Sequence, residues 1–364
     1  MDERKYWLAF SVCNGIGPVR FHKLLHYFGS AENAWNASLQ ELVDAAIGEK
    51  TAQDVLNFKK TFVIEKYEEK MRRLQVSYLT LQDDDYPRLL KIIKNPPIIL
   101  YKKGTYMFNE NDILVSVVGT RKITEYGHEV TGLLVSDLVR SGCVVVSGLA
   151  MGVDATAHQS TIAAGGKTVA VLGSGVDVCT PEENSPLYQR ILETGGAIVS
   201  EYPLGTMPNK GSFPARNRII AGLSLGVLVT EGAEDSGSLI TANDAFATNR
   251  KVFAVPGPIT SSVSKGPIVL ITKGAKMVTQ VADIINELGI KNQASREFNK
   301  KKIRGLSKEE QKIIELLQDQ KLHFDELLKR TGFIPSHVGT LLSLMEVKGL
   351  IRSFDSGFFG LTGK

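Results

Sequence analysis

Three side chains in the central part of the chain have the types and spacing to bind an anion beside a flat ring. Arg121 offers a planar guanidinium that can donate two parallel hydrogen bonds to a phosphate, and Lys210 offers a compact ammonium. Phe213 follows Lys210 by three residues, in what reads as a loop. A phosphate on the ammonium and a base on the ring would use both groups. The alternative is that Phe213 covers the core beneath its loop.

Two further arginines follow on the opening turn of the next predicted helix. Arg216 and Arg218 flank Asn217, so their guanidinium groups stand two positions apart. Residues two apart on a helix do not share a face. We therefore expect one arginine to reach a ligand and the other to pair internally with a carboxylate.

Catalytic and metal-binding patterns are weak by comparison. Asp154 and His158 have the i,i+4 spacing of two metal ligands, but a third ligand is missing and Asp154 is also well placed as an N-cap. Glu201, Glu231 and Glu234 are candidate acids or bases without an accompanying nucleophile. The sequence contains neither the phosphate-loop signature nor Gly-x-Gly-x-x-Gly directly after a strand. We expect that the chain is not an enzyme and that it binds neither a metal nor a cofactor.

The segments that must position these side chains alternate between strand-like and helix-like patterns. The apolar strand candidates are residues 113–118, 143–147, 168–172, 197–200, 226–230 and 252–255. The helical candidates between them include residues 127–140, 154–164, 186–194, 215–223 and 238–248. Such alternation predicts an α/β fold with a Rossmann-like, mostly parallel sheet.

Small residues follow the predicted strands at the edge where ligands bind in such a sheet, outside the strands' carboxyl ends. Their backbone amides can approach an anion closely. The five loops at this edge contribute Gly119-Thr120-Arg121, Ser147-Gly148, Gly173-Ser174, the stretch from Lys210 to Phe213, and Gly237-Ser238. Their convergence on one edge predicts a phosphate-binding site.

The two ends of the chain predict separate small domains. Residues 1–80 are helical in pattern, and Gly15-Ile16-Gly17-Pro18 either binds one phosphate, as in helix-hairpin-helix or SAM-like modules, or forms a plain turn. Residues 81–290 hold the sheet, and the basic stretch 291–302 is predicted to be a linker. Residues 303–364 predict three helices and a hairpin, the pattern of a winged helix that binds DNA or protein.

Charge and composition limit the classes of partner. The formal net charge is +4, but residues 106–290 hold more carboxylates than cations. A polyanion must therefore be bound by a local group of cations and amides. The 3 cysteines are widely spaced, the first residues are charged, and no apolar run is long enough for a membrane span. We expect a cytoplasmic protein without membrane contact.

Five runs follow one another through the middle segment: VVGTRKITEYG (117–127), VVSGLAMGVDATAH (145–158), FPARNRIIAGLSLGVLVTEG (213–232), SGSLITA (236–242) and VFAVPGPITS (252–261). In this order they resemble the DNA-processing protein A (DprA/Smf) family, whose longer members also have a helical head and a winged-helix tail. The resemblance implies a dimeric protein that is not an enzyme. It also implies that the chain binds and protects single-stranded DNA entering during natural transformation and loads the RecA recombinase on it.

Residue by residue, the resemblance places Arg121, Lys210 and Phe213 at the family's DNA-contacting positions. The resemblance implies that the pocket around these positions is formed by Ser147, Gly148, Arg216, Asn217, Arg218, Gly237 and Ser238. Residues 265–271 depart from the Lys/Arg-Gly-Cys-Asn pattern of many members, which affects the geometry of self-association. The aliphatic segment 266–278 still predicts a dimer interface, the alternative being an internal strand or helix face. The interface candidates are Ile268, Leu270, Ile271 and Val278.

Two other functions compete with this one. A nucleotide phosphoribohydrolase on a related fold would carry Pro-Gly-Gly-x-Gly-Thr-x-x-Glu in the fifth loop, but Ile240 or Thr241 stands where its acid is needed. A winged-helix transcription regulator would require specificity for duplex DNA. Its near-neutral recognition helix, with His337, Glu346 and Lys348, argues against that function.

Overall fold

The computed structural model describes residues 3–290, 306–317, 321–348, 350–354 and 357–361. Contacts divide the chain into two compact units, Met1–Asn292 and Gln293–Lys364. The predicted linker at 291–302 lies outside the described residues. Within the described ranges, no helix is long and apolar enough to cross a membrane.

The first unit is built around a nine-stranded sheet in the order β1-β2-β6-β5-β4-β3-β7-β8-β9. The strands from β3 to β9 pair in parallel, whereas β2 pairs antiparallel with both β1 and β6. The prediction of a mostly parallel α/β sheet is therefore confirmed. The strands are β1 Val76–Thr80, β2 Ile99–Gly104, β3 Ile113–Val118, β4 Cys143–Ser147, β5 Thr168–Val171, β6 Ala197–Ser200, β7 Gly226–Val229, β8 Lys251–Ala254 and β9 Lys276–Met277.

Helices precede the sheet and cover it. In the head they are α1 Arg4–Val12, α2 Pro18–Phe28, α3 Ala31–Asn36, α4 Leu39–Asp44, α5 Glu49–Thr61 and α6 Ile64–Arg73. Those that follow are α7 Arg88–Lys91, α8 Glu125–Arg140, α9 Val153–Ala163, α10 Ser185–Glu193, α11 Ser212–Leu223, α12 Gly237–Ala247, α13 Lys265–Thr272 and α14 Val281–Glu287. Short 3-10 helices occupy Glu182–Asn184 and Ser262–Ser264.

The central strands are apolar throughout because both faces of the sheet are covered. On β3, Val115 and Val117 belong to one buried cluster, whereas Leu114 and Val118 belong to the other. The faces of the sheet are therefore filled by packing. The strand ends and the loops after them are left for a ligand.

The helical head shares its core with the sheet. Trp7 and Phe10 of α1 lie in the same buried cluster as Leu100 and Tyr101 of β2. The prediction that residues 1–80 are helical fails at their end, because β1 pairs with β2 along its full length. β1 is a short edge strand whose sequence, Val-Ser-Tyr-Leu-Thr, alternates too briefly to be distinguished. The predicted domain boundary at residue 80 itself stays a prediction.

The segment predicted to form a dimer interface folds largely against its own unit. Residues 265–272 form α13, and Leu270 and Val278 are completely buried within the unit. Their side chains therefore cannot contact a second chain, and the expectation for these two residues is wrong. The physical reason is that α13, which carries Leu270, packs against β8, and that Val278, directly after β9, lies in the buried cluster with Val255 and Ile284. Ile268 and Ile271 are partly exposed and stay candidates.

The second unit has the winged-helix order of elements, as predicted. Its helices are Lys308–Leu317, Phe324–Thr331 and Pro335–Val347, and its sheet is formed by β10 Leu322–His323, β11 Ile351–Phe354 and β12 Phe358–Leu361 in the order β10-β12-β11. A compact apolar core includes Ile313, Leu327 and Val338 from the three helices. Asp355 and Ser356 of the predicted turn lie outside the described residues.

Candidate functional site

The sheet changes its direction of winding at β3. From β3 the chain continues through β4, β5 and β6 on one side, and it returns to β7 on the other side. The loops after β3 and its neighbours therefore separate and leave a crevice at the carboxyl ends of the strands. A cleft of about 470 Å³ occupies this place. It is lined by Val118, Gly119, Arg121, Ala150, Asp154, Lys210, Phe213, Pro214, Arg216, Asn217, Ile220, Ser236, Gly237, Ser238, Ile240 and Thr241.

The three side chains singled out first meet in this cleft. The guanidinium carbon of Arg121 lies 5.3 Å from the centre of the Phe213 ring, within range of a cation–π contact. Lys210 and Arg121 are exposed, and Phe213 is half-buried. Phe213 lies in the first turn of α11, because that helix begins at Ser212 rather than after residue 214. Two exposed cations and an accessible ring therefore line the same cleft.

Arg216 forms the floor of the cleft. It is 4% exposed, and its Nη1 donates hydrogen bonds to the carbonyl oxygens of Gly148, at 2.6 Å, and Val171. A Cβ atom on Gly148 would stand 2.5 Å from Arg216 Nη1, so the guanidinium can lie against this loop because residue 148 is glycine. Burial lowers the pKa of Arg216, partly opposed by Asp154. Among the described residues, Arg216 forms no ion pair, and its guanidinium is held by backbone carbonyls at the floor of the cleft.

Asp154 and His158 have hydrogen-bond partners inside the fold, and Nδ1 of His158 lies 2.7 Å from Thr168 Oγ1 on β5. The carboxylate of Asp154 accepts hydrogen bonds from the backbone N–H groups of Gly148, at 3.1 Å, and Ala150, at 3.4 Å. The sequence predicts Asp154 as the N-cap of α9. This prediction is wrong, because the helix begins at Val153 after Gly152. Burial lowers the pKa of His158 to about 3. No cluster that could hold a metal occurs among the described residues.

Arg218 points away from the cleft and pairs with Glu201. Both residues line a different cavity, where the turn at Gly15 and Gly17 faces the loop after β6. The expectation that one of the two arginines pairs internally is confirmed, and Arg216 is the one that faces the cleft. Including Arg218 in the binding pocket is therefore wrong. The two-residue spacing on α11 is the physical reason.

Several of the predicted pocket residues support the cleft without lining it. Ser147 donates from Oγ to the carbonyl of Val117 at 2.6 Å, and Ser174 donates to the carbonyl of Val178 at 2.7 Å. Both hydroxyls are buried, so the expectation that they contact DNA is wrong. Gly173 and Thr120 also fall outside the lining of the cleft. Gly119 and Asn217 line it, and the carbonyl of Gly148 holds Arg216 at its floor.

The start of α12 closes the other side of the cleft. Ser236 caps this helix, accepting from the backbone N–H of Ser238 at 3.3 Å, and Gly237 is exposed. Asn217 Nδ2 donates to the carbonyl of Gly237 at 3.2 Å, which ties α11 to α12. The start of a helix at this side of the cleft favours an anion.

Some lining residues were not predicted from the sequence. Ile220 stands seven residues after Phe213 and lies on the same face of α11, which the helical period indicates once the helix start is known. Ile240 and Thr241 are one turn into α12 and reach the cleft from its side. Ala150 lacks any signal of its own, because a small apolar residue after a strand is common.

Two family assignments agree with this fold and site. Residues 77–289 match the family described as DNA recombination-mediator protein A, and residues 300–356 match the DprA winged helix domain. Protein Smf of Synechocystis sp. is 40% identical over 292 residues, 79% of this chain and 73% of that protein. DNA processing protein DprA of Bacillus subtilis is 40% identical over 236 residues, 63% of this chain and 79% of that protein. The chain belongs to the DNA recombination-mediator protein A (DprA/Smf) family.

Solved structures of the same family resemble the chain as well. The X-ray structure of DNA processing protein A from Streptococcus pneumoniae has a TM-score of 0.68 and 34% identity, covering 78% of this chain and 97% of that one. A structure from Helicobacter pylori, described by the single-stranded DNA binding mode of its DNA processing protein A, has a TM-score of 0.52 and 32% identity. It covers 59% of this chain and 95% of that one.

Proposed function

We propose that this chain binds single-stranded DNA in the cleft at the carboxyl end of β3. The observation that carries the proposal is the contact between Arg121 and the Phe213 ring, in a cleft that Lys210 also lines. A base stacked on the ring places its phosphate within reach of both cations. Stacking accepts any base and the cations read only phosphate, so binding has little sequence preference.

We propose further that binding is not followed by catalysis. Ile240 and Thr241 line the cleft where a phosphoribohydrolase would need its acid. The carboxylate of Glu231 accepts two hydrogen bonds from Thr124, and Glu201 pairs with Arg218. These carboxylates have structural partners, which supports a binding protein over a hydrolase.

The finer role rests on family membership. The chain acts in the cytoplasm as a homodimer, protects DNA that enters during natural transformation, and loads RecA on it. Contacts through exposed cations and one ring support this role, because they are reversible and let a second protein displace this one along the strand.

A mobility-shift comparison tests the binding proposal. The full chain is titrated against oligothymidylate and against a duplex of the same length. We expect the single strand to be bound more tightly, and this preference to be smaller in the Phe213→Ala variant. Preference for the duplex would favour a winged-helix regulator, while release of ribose phosphate from nucleotides would favour the hydrolase.

The RecA step is tested separately. RecA filament assembly is followed on single-stranded DNA already covered by a single-strand-binding protein, with and without the chain. We expect faster assembly with the chain and no acceleration with the Phe213→Ala variant. Equal assembly rates with and without the wild-type chain would contradict the RecA role and leave the DNA-binding proposal intact.

A further inference from the structure

The outer face of the winged-helix sheet carries cations and aromatic rings together. Phe354 of β11 is paired in register with Phe358 of β12, and Phe358 is paired with His323 of β10. Side chains at paired positions point to the same side of a sheet. These three rings therefore form one row across the three strands.

Two cations beside this row lie against the Phe354 ring. Lys321 Nζ is 3.6 Å from the centre of the Phe354 ring, and the guanidinium carbon of Arg352 is 4.5 Å from it. Both cations are exposed, and Phe358 is 40% exposed. The five residues Lys321, His323, Arg352, Phe354 and Phe358 are called the outer face below.

A glycine makes the outer face flat. Gly360 is paired with Arg352, and a Cβ atom on it would lie 3.0 Å from the ring of Phe354 and 3.1 Å from the stem of Lys321. Both side chains therefore extend across the space that a larger residue would fill. The opposite side of the sheet is occupied, because Leu322, Ile351 and Phe359 pack against the core of the unit.

We propose that the outer face is a second binding site for single-stranded DNA. Exposed rings flanked by cations bind a single strand by stacking its bases and pairing with its phosphates, as the sheets of single-strand-binding modules do. A duplex would not expose its base faces to Phe354 or Phe358. One carboxylate is near, since Asp325 lies 3.4 Å from His323 Nδ1, but the charged ends of Lys321 and Arg352 lie against Phe354, at the other end of the row.

The inference rests on the proposed function and extends it to a second surface. The contributions of the cleft and of the outer face are distinguished by comparing the wild type with three variants. The face variant is Lys321→Ala with Phe354→Ala, and the cleft variant is Lys210→Ala with Phe213→Ala. The matched control, Lys329→Ala with Leu344→Ala, removes one exposed cation and one half-exposed apolar side chain elsewhere on the same unit. Affinity of each full chain for a long oligothymidylate is measured by fluorescence anisotropy.

We expect the face variant to bind about tenfold or more weakly than the wild type, as loss of a stacked base and a phosphate contact requires. The control should bind like the wild type. Ultraviolet cross-linking of wild-type protein to oligothymidylate should label the peptide that contains Phe354 or Phe358 as well as the one that contains Phe213.

A second variant guards against loss of folding. Lys321→Gln with Arg352→Gln keeps both rings and removes two exposed charges. It should make the salt dependence of binding shallower by about 1.4 in log–log slope, at about 0.7 per phosphate on a single strand.

Each outcome bears on one site. Wild-type affinity of both outer-face variants, without a cross-link at Phe354 or Phe358, would overturn this inference and assign the face to a protein partner. Wild-type affinity of the cleft variant would contradict the proposed function of the cleft while leaving the outer face in place.

Discussion

At the scale of single residues, exposed groups and buried groups of the cleft have different tasks. Arg121, Lys210 and Phe213 are accessible to a ligand. Arg216 and Asp154 are buried and bonded to backbone groups of the surrounding loops. Replacing the first group should therefore reduce DNA affinity, whereas replacing the second should reduce stability as well.

Phe213→Ala tests the first half of this division. We expect DNA affinity to fall by about 1–3 kcal/mol, because the variant loses a stacked base. Phe213→Trp keeps an aromatic face and should bind close to wild type. Both are measured by fluorescence anisotropy with oligothymidylate. Equal affinity of the alanine variant and the wild type would remove the ring from the binding site.

His158 predicts a dependence of stability on pH. Burial lowers its pKa from 6.5 to about 3, and the charge of Arg216 adds to this lowering. Below pH 6.5 the His158 imidazole is protonated in the unfolded chain but stays neutral in the folded chain until the pH approaches 3. The stabilisation is therefore complete above pH 6.5 and is lost as the pH falls toward 3.

Urea unfolding at several pH values measures this effect. Between these limits His158 should lower the free energy of unfolding by about 1.4 kcal/mol per pH unit. Fluorescence follows the first unit, where both tryptophans, Trp7 and Trp35, lie. The His158→Gln variant should be less stable at neutral pH but should lack this part of the slope. Parallel pH profiles of variant and wild type would show that His158 does not carry it.

At the scale of elements, the cleft depends on how closely the loop after β4 approaches α11. Gly148→Ala would force a Cβ atom to within 2.5 Å of Arg216 Nη1. Because this guanidinium is held by two carbonyls, we expect a loss of stability of about 1–3 kcal/mol and weaker DNA binding. Thermal unfolding and anisotropy measure the two effects.

Gly237→Ala is the matched control for that prediction. A Cβ atom on Gly237 would meet no heavy atom within 4 Å, although the residue lines the same cleft. This variant should unfold like the wild type. If both alanine variants behaved alike, the close approach at Gly148 would not be what positions Arg216.

The strands and helices of the first unit's centre could be predicted because each is a short, continuous run with one period. All six predicted strands of the sheet are present, from β3 to β8. β1 and β2 were not predicted, because they are antiparallel edge and near-edge strands with mixed polarity. The aliphatic sequence of α13 predicts a dimer interface, because it does not reveal which face packs on β8.

The site was predictable as far as strand ends and charge determine it. Arg121, Lys210 and Phe213 were found because cations and rings at strand ends have few structural uses. Ser147 and Ser174 were assigned wrongly, since the direction of a hydroxyl depends on neighbouring carbonyls that the sequence does not specify. The spacing of Arg216 and Arg218 predicts that one faces the ligand and the other pairs internally, but it does not predict which arginine has which role.

At the scale of the whole molecule, the helical head and the sheet depend on one shared core for their stability. Residues 80–290 alone would lose most of β1 and expose Leu100 and Tyr101, which the head now buries. We therefore expect the whole first unit, and not this fragment, to bind DNA by itself. The unit that ends near residue 290 keeps the cleft and its supporting core.

The charges available to a DNA strand also follow from the whole arrangement. The sequence suggests three phosphate contacts in the cleft, from Arg121, Lys210 and one further arginine. In the structure Arg216 is bonded to carbonyls and Arg218 to Glu201. Two exposed cations remain, so the cleft should contribute about −1.4 to the log–log salt slope instead of about −2.

The salt dependence of binding tests the central claim, that exposed cations and a ring in this cleft bind single-stranded DNA. Affinity for oligothymidylate is measured over a range of salt for wild type, Arg121→Ala with Lys210→Ala, and Phe213→Ala. We predict that the double variant has a slope shallower by about 1.4, while Phe213→Ala binds more weakly with an unchanged slope. A folded double variant with the affinity and slope of the wild type would contradict the account.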